Sequence, residues 1–471
     1  MKLLQDSYII HLFTAADRWF GQQWEESRLA SWLTGQNSTH SQASLTTGIT
    51  GKIRSLYCRL FETLRLPKLL EGSIFLHPML FVALAVILAP VMPTMVILAL
   101  VCGGFFSLCL KLGVDRSLTV TPSPLNSYVV LYAFLYFYTT LTSTTVSGSL
   151  FPGLLTIAFV MFFFAVTSSG LEGKWLERLL VVLLVVGVGV SLYGFYQFLF
   201  PEKFRNVWTD TDMFSTIAFR VYSTLENPNV LGEYFLLVIP VGCAMSMTVD
   251  TWPKRLAALA ATGIMGVCLI LTYSRGCYLG LLFAAAVFLV LLDRRFIFVG
   301  ILAVLTCPLY LPESVLSRFA SIGDMGDTST SYRVYIWLGT IAMLKDYWFC
   351  GVGPGIDAYN MVYPEYAYNT ITAPHSHNLY LQITCDSGVC GIAVFLIMMV
   401  SFYRMMFRAV RYETDKKARI WQIAGTSAIT GFLVQSMTDY TFYNYRVMLL
   451  FWVMLGLCVL FTRMGKKEET V

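Results

Sequence analysis

Charged residues are scarce in this chain of 471 residues: they make up 13%, roughly half the share usual in soluble proteins. The hydrophobic fraction is 56% and the mean hydropathy is +0.65, which exclude an ordinary soluble domain. The formal net charge is only +5, and both signs are kept out of the long apolar runs, so the composition is not that of a nucleic-acid binder. The partner expected of this surface is membrane lipid.

The chain has 11 cysteines, but the patterns that would make them ligands are missing. It contains no CxxC pair and no Cys/His spacing typical of a metal site. Most cysteines lie inside apolar runs, where the side chain acts as a small hydrophobe. Asp210 and Asp212 form an acid-x-acid pair, yet two carboxylates alone are a poor metal site without further oxygen ligands. We therefore expect no disulfide framework, no metal and no other cofactor.

Long apolar runs dominate what is present. A bilayer core of about 30 Å is crossed by about 20 mostly apolar residues in helical form, because the backbone finds no water there and must pair internally. About twelve such runs occur, at residues 74–92, 94–113, 127–145, 149–168, 178–200, 229–249, 256–274, 277–293, 296–311, 387–403, 420–438 and 445–463. The sequence thus predicts an all-α integral membrane protein with about 12 transmembrane helices.

Lysine and arginine set the predicted orientation, since cytoplasmic loops near span ends carry an excess of them. Most of the 33 basic residues fall in segments that are cytoplasmic if the N terminus is inside. Residues 74–463 then form a multi-pass domain in the inner (cytoplasmic) membrane, and residues 464–471 form a cytoplasmic tail. Residues 1–73 form a cytoplasmic extension, in which 8–20 could lie amphipathically on the membrane and 34–51 is typical of a linker. Polar residues interrupt the first positions, so no cleavable signal peptide is expected.

Two predicted external loops stand out by length, residues 201–228 and 312–386. The second is too long for a simple turn. Within it, residues 332–344 are apolar at helical spacing, so we expect an amphipathic helix on the outer membrane face. Several tyrosines also occur here, and their rings would either stack on sugars or form an interfacial belt. These are Tyr359, Tyr363, Tyr366, Tyr368 and Tyr380.

The most specific pattern in the chain lies at residues 351–396. Gly/Pro turns in GVGPG are followed by His377 and Asn378, then by nine residues, and then by Gly388 and Gly391 in a Gly-x-x-Gly that enters a membrane helix. In this pattern the chain resembles the O-antigen ligase and O-antigen polymerase superfamily.

Three further segments carry the same resemblance. They are RVYSTLENPN beginning at Arg220, TYSRG around Arg275, and RVYIW around Arg333. The likeness covers roughly residues 180–460. It is closest to a branch often labelled inorganic carbon transporters.

The resemblance implies an inverting, metal-independent glycosyltransferase with a glycosyltransferase C-like fold. Such an enzyme moves a glycan from a polyprenyl-pyrophosphate carrier to a glycan or lipid acceptor on the outer membrane face. His377 would then be the general base, the arginines 220, 275 and 333 would bind the pyrophosphate, and His375 and Asn378 would contact substrate. The acceptor is either a growing chain, as in a polymerase, or a different terminal molecule, as in a ligase.

The residue types suit that chemistry. Imidazole titrates near neutral pH, and neighbouring arginines disfavour its protonated form, which keeps a histidine basic. Arginine forks bind phosphate oxygens bidentately and stay charged at any relevant pH. Both residue types occur on the predicted outer face.

Each candidate also has a structural interpretation. His377 could pack or cap at a loop end, and Arg275 could extend to the membrane interface, an ordinary use of arginine. Glu226, Asn227 and Asn229 could merely cap the helix that follows them. Asp439 and Arg446 flank the last external loop and could form an ion pair that is only structural.

An anion transporter, for bicarbonate for example, is the alternative function. If the protein were a transporter, its sequence should place ionisable groups near the bilayer midplane, where they face a cavity. Here the apolar runs are nearly free of such groups, with Glu233 close to one end, and the cations gather at the outer mouth. That distribution favours chemistry at the membrane surface.

Overall fold

The computed structural model describes residues 55–116, 118–205, 219–293, 295–306, 312–320 and 328–464, with short stretches at 15, 19, 22, 208, 309–310 and 326. Within this part of the chain every regular element is a helix, and no strand occurs. The prediction of an all-α protein is confirmed. Most of the predicted surface segment 8–20, the linker 34–51, the pair Asp210 and Asp212, and the tail beyond residue 464 lie outside the described residues.

A helix coincides with each of the twelve apolar runs, and further helices lie in the long loop between the ninth and tenth runs. Numbered from the first run, the helices are α1 (Pro78–Leu88), α2 (Thr94–Val114), α3 (Asn126–Leu141), α4 (Val146–Thr167), α5 (Gly173–Leu199), α6 (Pro228–Thr248), α7 (Trp252–Ile270), α8 (Arg275–Leu292), α9 (Phe296–Thr306), α10 (Glu313–Ala320), α11 (Thr328–Tyr347), α12 (Ile356–Val362), α13 (Leu379–Tyr412), α14 (Lys416–Gln435) and α15 (Tyr445–Phe461).

Among the described helices, 7 are long and apolar enough to cross a membrane, namely α2, α4, α5, α6, α7, α8 and α13. Helices α1 and α15 are apolar but shorter. The helices therefore support an integral membrane protein, while the count of 12 spans stays a prediction.

Burial separates interior helices from those that face outward. In α6, 89% of the most apolar window is buried, and every residue of α15 from Val447 onward is buried. The corresponding share is 22% in α7 and 28% in both α2 and α8. An apolar helix with few residues buried in the protein requires an apolar surrounding, so the outer faces of α2, α7 and α8 suit lipid contact.

Charged contacts join chain segments at one end of the helix bundle. Arg116 pairs with Glu62 at 2.7 Å, and Lys417 pairs with Asp250 at 2.6 Å. Arg463 donates to the carbonyl of Pro122 at 2.7 Å. Solvent screens exposed ion pairs of this kind, so these two pairs align helix ends more than they stabilise the fold. All of these segments belong to the set predicted to be cytoplasmic.

Helix α13 is interrupted at Gly388, the first glycine of the Gly-x-x-Gly pattern. Gly388 has φ 64° and ψ −168°, and a Cβ at this position would collide with the carbonyl oxygen of Phe349. The interruption frees the carbonyl of Cys385, which accepts a hydrogen bond from Val352 N–H at 2.6 Å. The glycine therefore allows the GVGPG loop to join the backbone of α13.

A helix is present at the predicted position 332–344 as α11, which is longer at both ends, but it is not amphipathic, because its apolar residues are spread around the helix. Its buried face carries Ile336, Thr340 and Met343, spaced by about one helical turn. The hydroxyl of Thr340 lies 2.8 Å from that of Tyr359. Helix α11 is thus fixed to α12 by its inner face.

Two of the loop tyrosines differ from expectation. Tyr359 and Tyr363 are fully buried, and their rings stack on each other with centroids 4.8 Å apart. They form the small core of the long loop together with the buried face of α11. The prediction that these two rings stack on sugars or line the membrane interface is therefore wrong, because the loop is long enough to need its own apolar core.

Candidate functional site

Asp439, in the loop between α14 and α15, is the meeting point of the predicted site. Its Oδ1 lies 3.2 Å from Nδ1 of His377, and its Oδ2 lies 3.9 Å from Nη2 of Arg333. The side chain of Asn229 donates to the same Oδ2 at 2.8 Å. One carboxylate therefore connects residues from four separated parts of the chain.

His377 is held by its backbone as well as its ring. Its φ of 48° places it in the left-handed region, and its carbonyl accepts a hydrogen bond from Trp337 Nε1 at 3.3 Å. The next residue, Asn378, caps α13 by accepting from the backbone N–H groups of Tyr380 and Leu381. Asn378 also donates to the carbonyl of Met437 at 2.8 Å. The helix entry and the Asp439 loop are thus locked together.

Asn378 therefore has a different placement from the one expected. Its side-chain oxygen is used by the helix cap and its side-chain nitrogen by Met437. These contacts give it a positioning role for His377, and the prediction that it binds substrate stays untested.

Arg220 reaches the same cluster through Asn229. Its Nη2 donates to Oδ1 of Asn229 at 3.1 Å, and its Nε donates to the carbonyl of Thr272 at 2.9 Å. Arg275, three residues after Thr272, is the first residue of α8. A Cβ on the adjacent Gly276 would lie 2.5 Å from Oγ1 of Thr438, so this backbone lies against the residue that precedes Asp439.

Arg333 lies in the second turn of α11 with its side chain 21% exposed. Its Nη1 donates to Oγ of Ser329 at 2.6 Å. The 3.9 Å separation from Asp439 is longer than a hydrogen bond, so the guanidinium attracts the carboxylate without being fully engaged by it. Its position near a helix N-terminus is one where an anion is favourable.

His375 lies directly behind His377, with ring centroids 4.2 Å apart. It is buried, and its Nδ1 accepts the backbone N–H of His377 at 3.2 Å. Burial, followed by the nearby charges of His377 and Arg333, lowers the pKa of His375 to about 3, although Asp439 acts in the opposite direction. His375 is therefore neutral at physiological pH and acts as an acceptor for the His377 backbone.

The carboxylate of Asp439 is ionised at physiological pH. Burial alone would raise its pKa, but the hydrogen bond and charge of His377, with the charge of Arg333, outweigh burial and hold the pKa well below its usual range. An ionised Asp439 can only accept hydrogen bonds. A neutral His377 beside it must then carry its ring proton on Nδ1.

The sequence did not reveal the role of Asp439. The ion pair considered between Asp439 and Arg446 does not form, because Arg446 pairs with Glu226 at 3.5 Å and donates to the carbonyl of Thr224 at 2.7 Å. Of the three cap candidates, Asn227 caps α6, whereas Asn229 bridges Arg220 to Asp439. The sequence held one signal for this contact: Asp439 and His377 both occur in loops that are predicted to lie on the outer side of the membrane.

One protein-family comparison covers part of this region. Residues 260–396 match the family described as O-Antigen ligase. The matched range contains Arg275, Arg333 and His377, and it excludes Arg220 and Asp439. No curated protein matches the chain. The branch labelled inorganic carbon transporters is not confirmed.

Proposed function

We propose that this chain transfers a glycan from a polyprenyl-pyrophosphate carrier, such as undecaprenyl pyrophosphate, to an acceptor hydroxyl. The match of residues 260–396 to the family described as O-Antigen ligase supports this function. The observation that carries the proposal is that His377 and Arg333 both face Asp439, so a base and a cation share one carboxylate. Glycan transfer needs both groups side by side.

His377 acts as the general base in this proposal. Asp439 holds the proton on Nδ1, which leaves the lone pair of Nε2 to accept the proton of the acceptor hydroxyl. The His377 side chain is 23% exposed, so substrate can reach it. Transfer of the proton produces an imidazolium, which the ionised Asp439 stabilises.

The arginines act on the leaving group. The acceptor oxygen attacks the anomeric carbon, the bond from that carbon to the phosphate oxygen breaks, and the electron pair leaves with the pyrophosphate, which inverts the configuration. Negative charge grows on the pyrophosphate as the bond breaks, and Arg220, Arg275 and Arg333 stabilise it. Because these guanidinium groups supply the positive charge, we propose transfer without a metal.

In this proposal, the outer faces of α7 and α8 accommodate the lipid tail of the donor. Only 22% and 28% of the most apolar windows of α7 and α8 are buried, and the turn between these helices carries Thr272 and leads into Arg275. A pyrophosphate held near this turn would leave its polyprenyl chain beside the outer faces of the two helices. The site would then open sideways to the membrane.

We also propose that the site lies on the outer side of the inner membrane and that both termini are cytoplasmic. The support is that the basic contacts of Arg116, Lys417 and Arg463 join loops at the bundle end predicted to be cytoplasmic. The loops that hold His377 and Asp439 join the helices at their other ends.

The transporter alternative is weaker. Glu233 is buried in α6, where it accepts a hydrogen bond from Gln435 at 3.2 Å. It lies in the second turn of α6, close to the site and not at midhelix. A buried carboxyl near a helix end is a poor start for a path across the membrane.

One reconstitution separates the two functions. The purified full chain is placed in liposomes and given either a labelled undecaprenyl-pyrophosphate oligosaccharide with acceptor, or labelled bicarbonate outside. We expect label to move to the acceptor and no bicarbonate uptake above empty liposomes. Uptake without transfer would reject the proposed enzyme.

Gel analysis of surface glycans after deletion then separates polymerase from ligase. Loss of the ladder with one repeat still attached indicates a polymerase. Accumulation of unattached long chains indicates a ligase.

A further inference from the structure

A cavity of about 260 Å³ is lined in part by His375. Its other walls come from the first residue of α2, the second and third turns of α4, the GVGPG loop, the first two turns of α13 and the loop before α15. Its chemistry is set by His375, Gln382, Asp386, Tyr440, Tyr443 and Arg446. The proposed reaction uses His375 only as a support, and it does not use the other five.

The buried end of the cavity is polar. Asp386 is 2% exposed, and its carboxyl accepts hydrogen bonds from Gln382 at 2.9 Å and Tyr136 at 3.3 Å, with a further bond from Tyr440. A carboxylate offers about four acceptor positions, and a phenol oxygen can also accept. The cavity therefore presents acceptor positions on Asp386 and Tyr440 to anything that enters it.

One wall of the cavity is aromatic. The ring of Tyr443 is 43% exposed and lies 4.6 Å from the ring of His375. Aromatic walls with a few convergent polar groups are typical of sites for small organic ligands. Such sites usually measure about 300–1,000 Å³ for larger ligands, so the volume here suits a single sugar ring. The C–H faces of a sugar pack on an aromatic ring while its hydroxyls bond to acceptors.

The charged residues that line this cavity distinguish it from the proposed pyrophosphate site of Arg220, Arg275 and Arg333. Arg446 is engaged by Glu226 and by the carbonyl of Thr224. Asp386 and Glu226 add carboxyl groups to the lining, which disfavour a pyrophosphate. Arg333 and Arg220 are not part of the lining. The cavity thus suits a neutral hydroxyl-rich group and not the phosphate end of the donor.

We propose that this cavity is a subsite for a sugar ring of the acceptor glycan, next to the hydroxyl that His377 deprotonates. The proposal rests on the transferase function above. Tyr443 provides the stacking surface, and Asp386 and Tyr440 accept hydrogen bonds from the sugar hydroxyls. His375 lines this subsite and also accepts the backbone N–H of His377, so it links the subsite to the pair formed by His377 and Asp439.

The test uses the full chain in nanodiscs. The acceptor is the oligosaccharide that mild acid releases from the surface glycan of the cells in which the protein occurs. Kinetics are measured with varied oligosaccharide acceptor and with varied lipid-linked donor. Tyr443→Ala should raise the acceptor KM about tenfold, because it removes one aromatic contact with the sugar. The donor KM should stay within about twofold of its value in the unaltered chain. Tyr443→Phe, which keeps the ring, should recover most of the acceptor binding. Tyr412→Ala, an exposed tyrosine at the other end of α13, is the matched control.

A second substitution tests the polar end. Asp386→Asn keeps the volume and exchanges an acceptor oxygen for a donor, so it should also raise the acceptor KM while the donor KM stays near that of the unaltered chain. An unchanged acceptor KM in Tyr443→Ala, or a rise in the donor KM alone, would overturn the subsite.

Direct binding keeps this proposal separate from the transferase function. Saturation-transfer NMR measures contact between the chain and the free oligosaccharide without any reaction. If no transfer occurs but the sugar signals are present and disappear in Tyr443→Ala, the subsite stands and the transferase proposal fails. If the sugar signals are the same in both proteins, or absent in both, the subsite is rejected.

Discussion

Nδ1 of His377 lies 3.2 Å from Oδ1 of Asp439, although the two residues are 62 positions apart in the chain. The backbone of Leu379, two residues after the histidine, donates to the carbonyls of Ser436 at 2.9 Å and Asp439 at 3.1 Å. The two segments are therefore joined by backbone and side chains together. In the proposed reaction, this relationship fixes the tautomer of His377.

Removal of the charge on Asp439 should impair transfer. Asp439→Asn keeps the size of the side chain, but its amide can donate to Nδ1 and so favour the tautomer with the proton on Nε2. We expect a fall in kcat of about 100-fold or more, the usual contribution of a positioned base. Protein level in membranes is the control. Activity within twofold of the unaltered chain would show that Asp439 does not orient the base.

His375 should make stability depend on pH. Its pKa is about 3 in the folded protein, below the value near 6.5 expected of an unfolded chain, so below pH 6.5 the unfolded state binds the extra proton. The stability that this neutral histidine contributes is complete above pH 6.5 and is lost as the pH falls towards 3. At pH 5 the loss is about 2 kcal/mol relative to pH 7.

The measurement is the unfolding temperature at pH 7 and pH 5. His375→Asn keeps an acceptor for the His377 N–H and does not titrate, so its unfolding temperature should fall less between the two pH values. Equal falls in both proteins would mean that His375 takes up its proton without cost.

Gly388 should tolerate no side chain. Gly388→Ala places a Cβ against the carbonyl of Phe349 in a left-handed conformation, and we expect a loss of about 1–3 kcal/mol. The readout is thermal unfolding in detergent. Gly263→Ala in α7 is the matched control, because nothing lies within 4 Å of its Cβ. Equal unfolding temperatures for the two variants would contradict the account of the interruption in α13.

Arg333 should bind the donor. Arg333→Ala removes a fork that bonds to phosphate, so the donor KM should rise about 10–100-fold, the worth of one or two hydrogen bonds to a charged group. Arg255→Ala, an exposed arginine at the start of α7, is the control. A donor KM that stays constant while the acceptor KM rises would assign Arg333 to the other substrate.

The helices could be predicted from the sequence, whereas the contacts between loops could not. Apolar periodicity and length located a helix at each of the twelve runs, because burial in lipid or protein imposes that pattern locally. The predicted run at 387–403 nevertheless begins eight residues after α13 does, since the first turns of α13 carry the polar residues Gln382 and Asp386.

Within the site, the motif around His377 pointed to the base, but nothing in the sequence paired it with Asp439. That pairing depends on how the loop after α14 folds back on the start of α13, which involves residues far apart in the chain. In the same way, the sequence offered Asp439 as the partner of Arg446, whereas the packing of the distant Glu226 turn brings Glu226 to Arg446 instead.

The most direct test of the proposed reaction is transfer of a labelled oligosaccharide from undecaprenyl pyrophosphate by purified wild-type chain and by His377→Ala. We expect the variant to insert into membranes at the normal level, to bind the lipid-linked donor with unchanged affinity and to lose transfer by at least about 100-fold. Transfer by the variant at a rate near that of the wild type would reject His377 as the base, because His375, the other histidine described at this site, uses its Nδ1 for the backbone of His377.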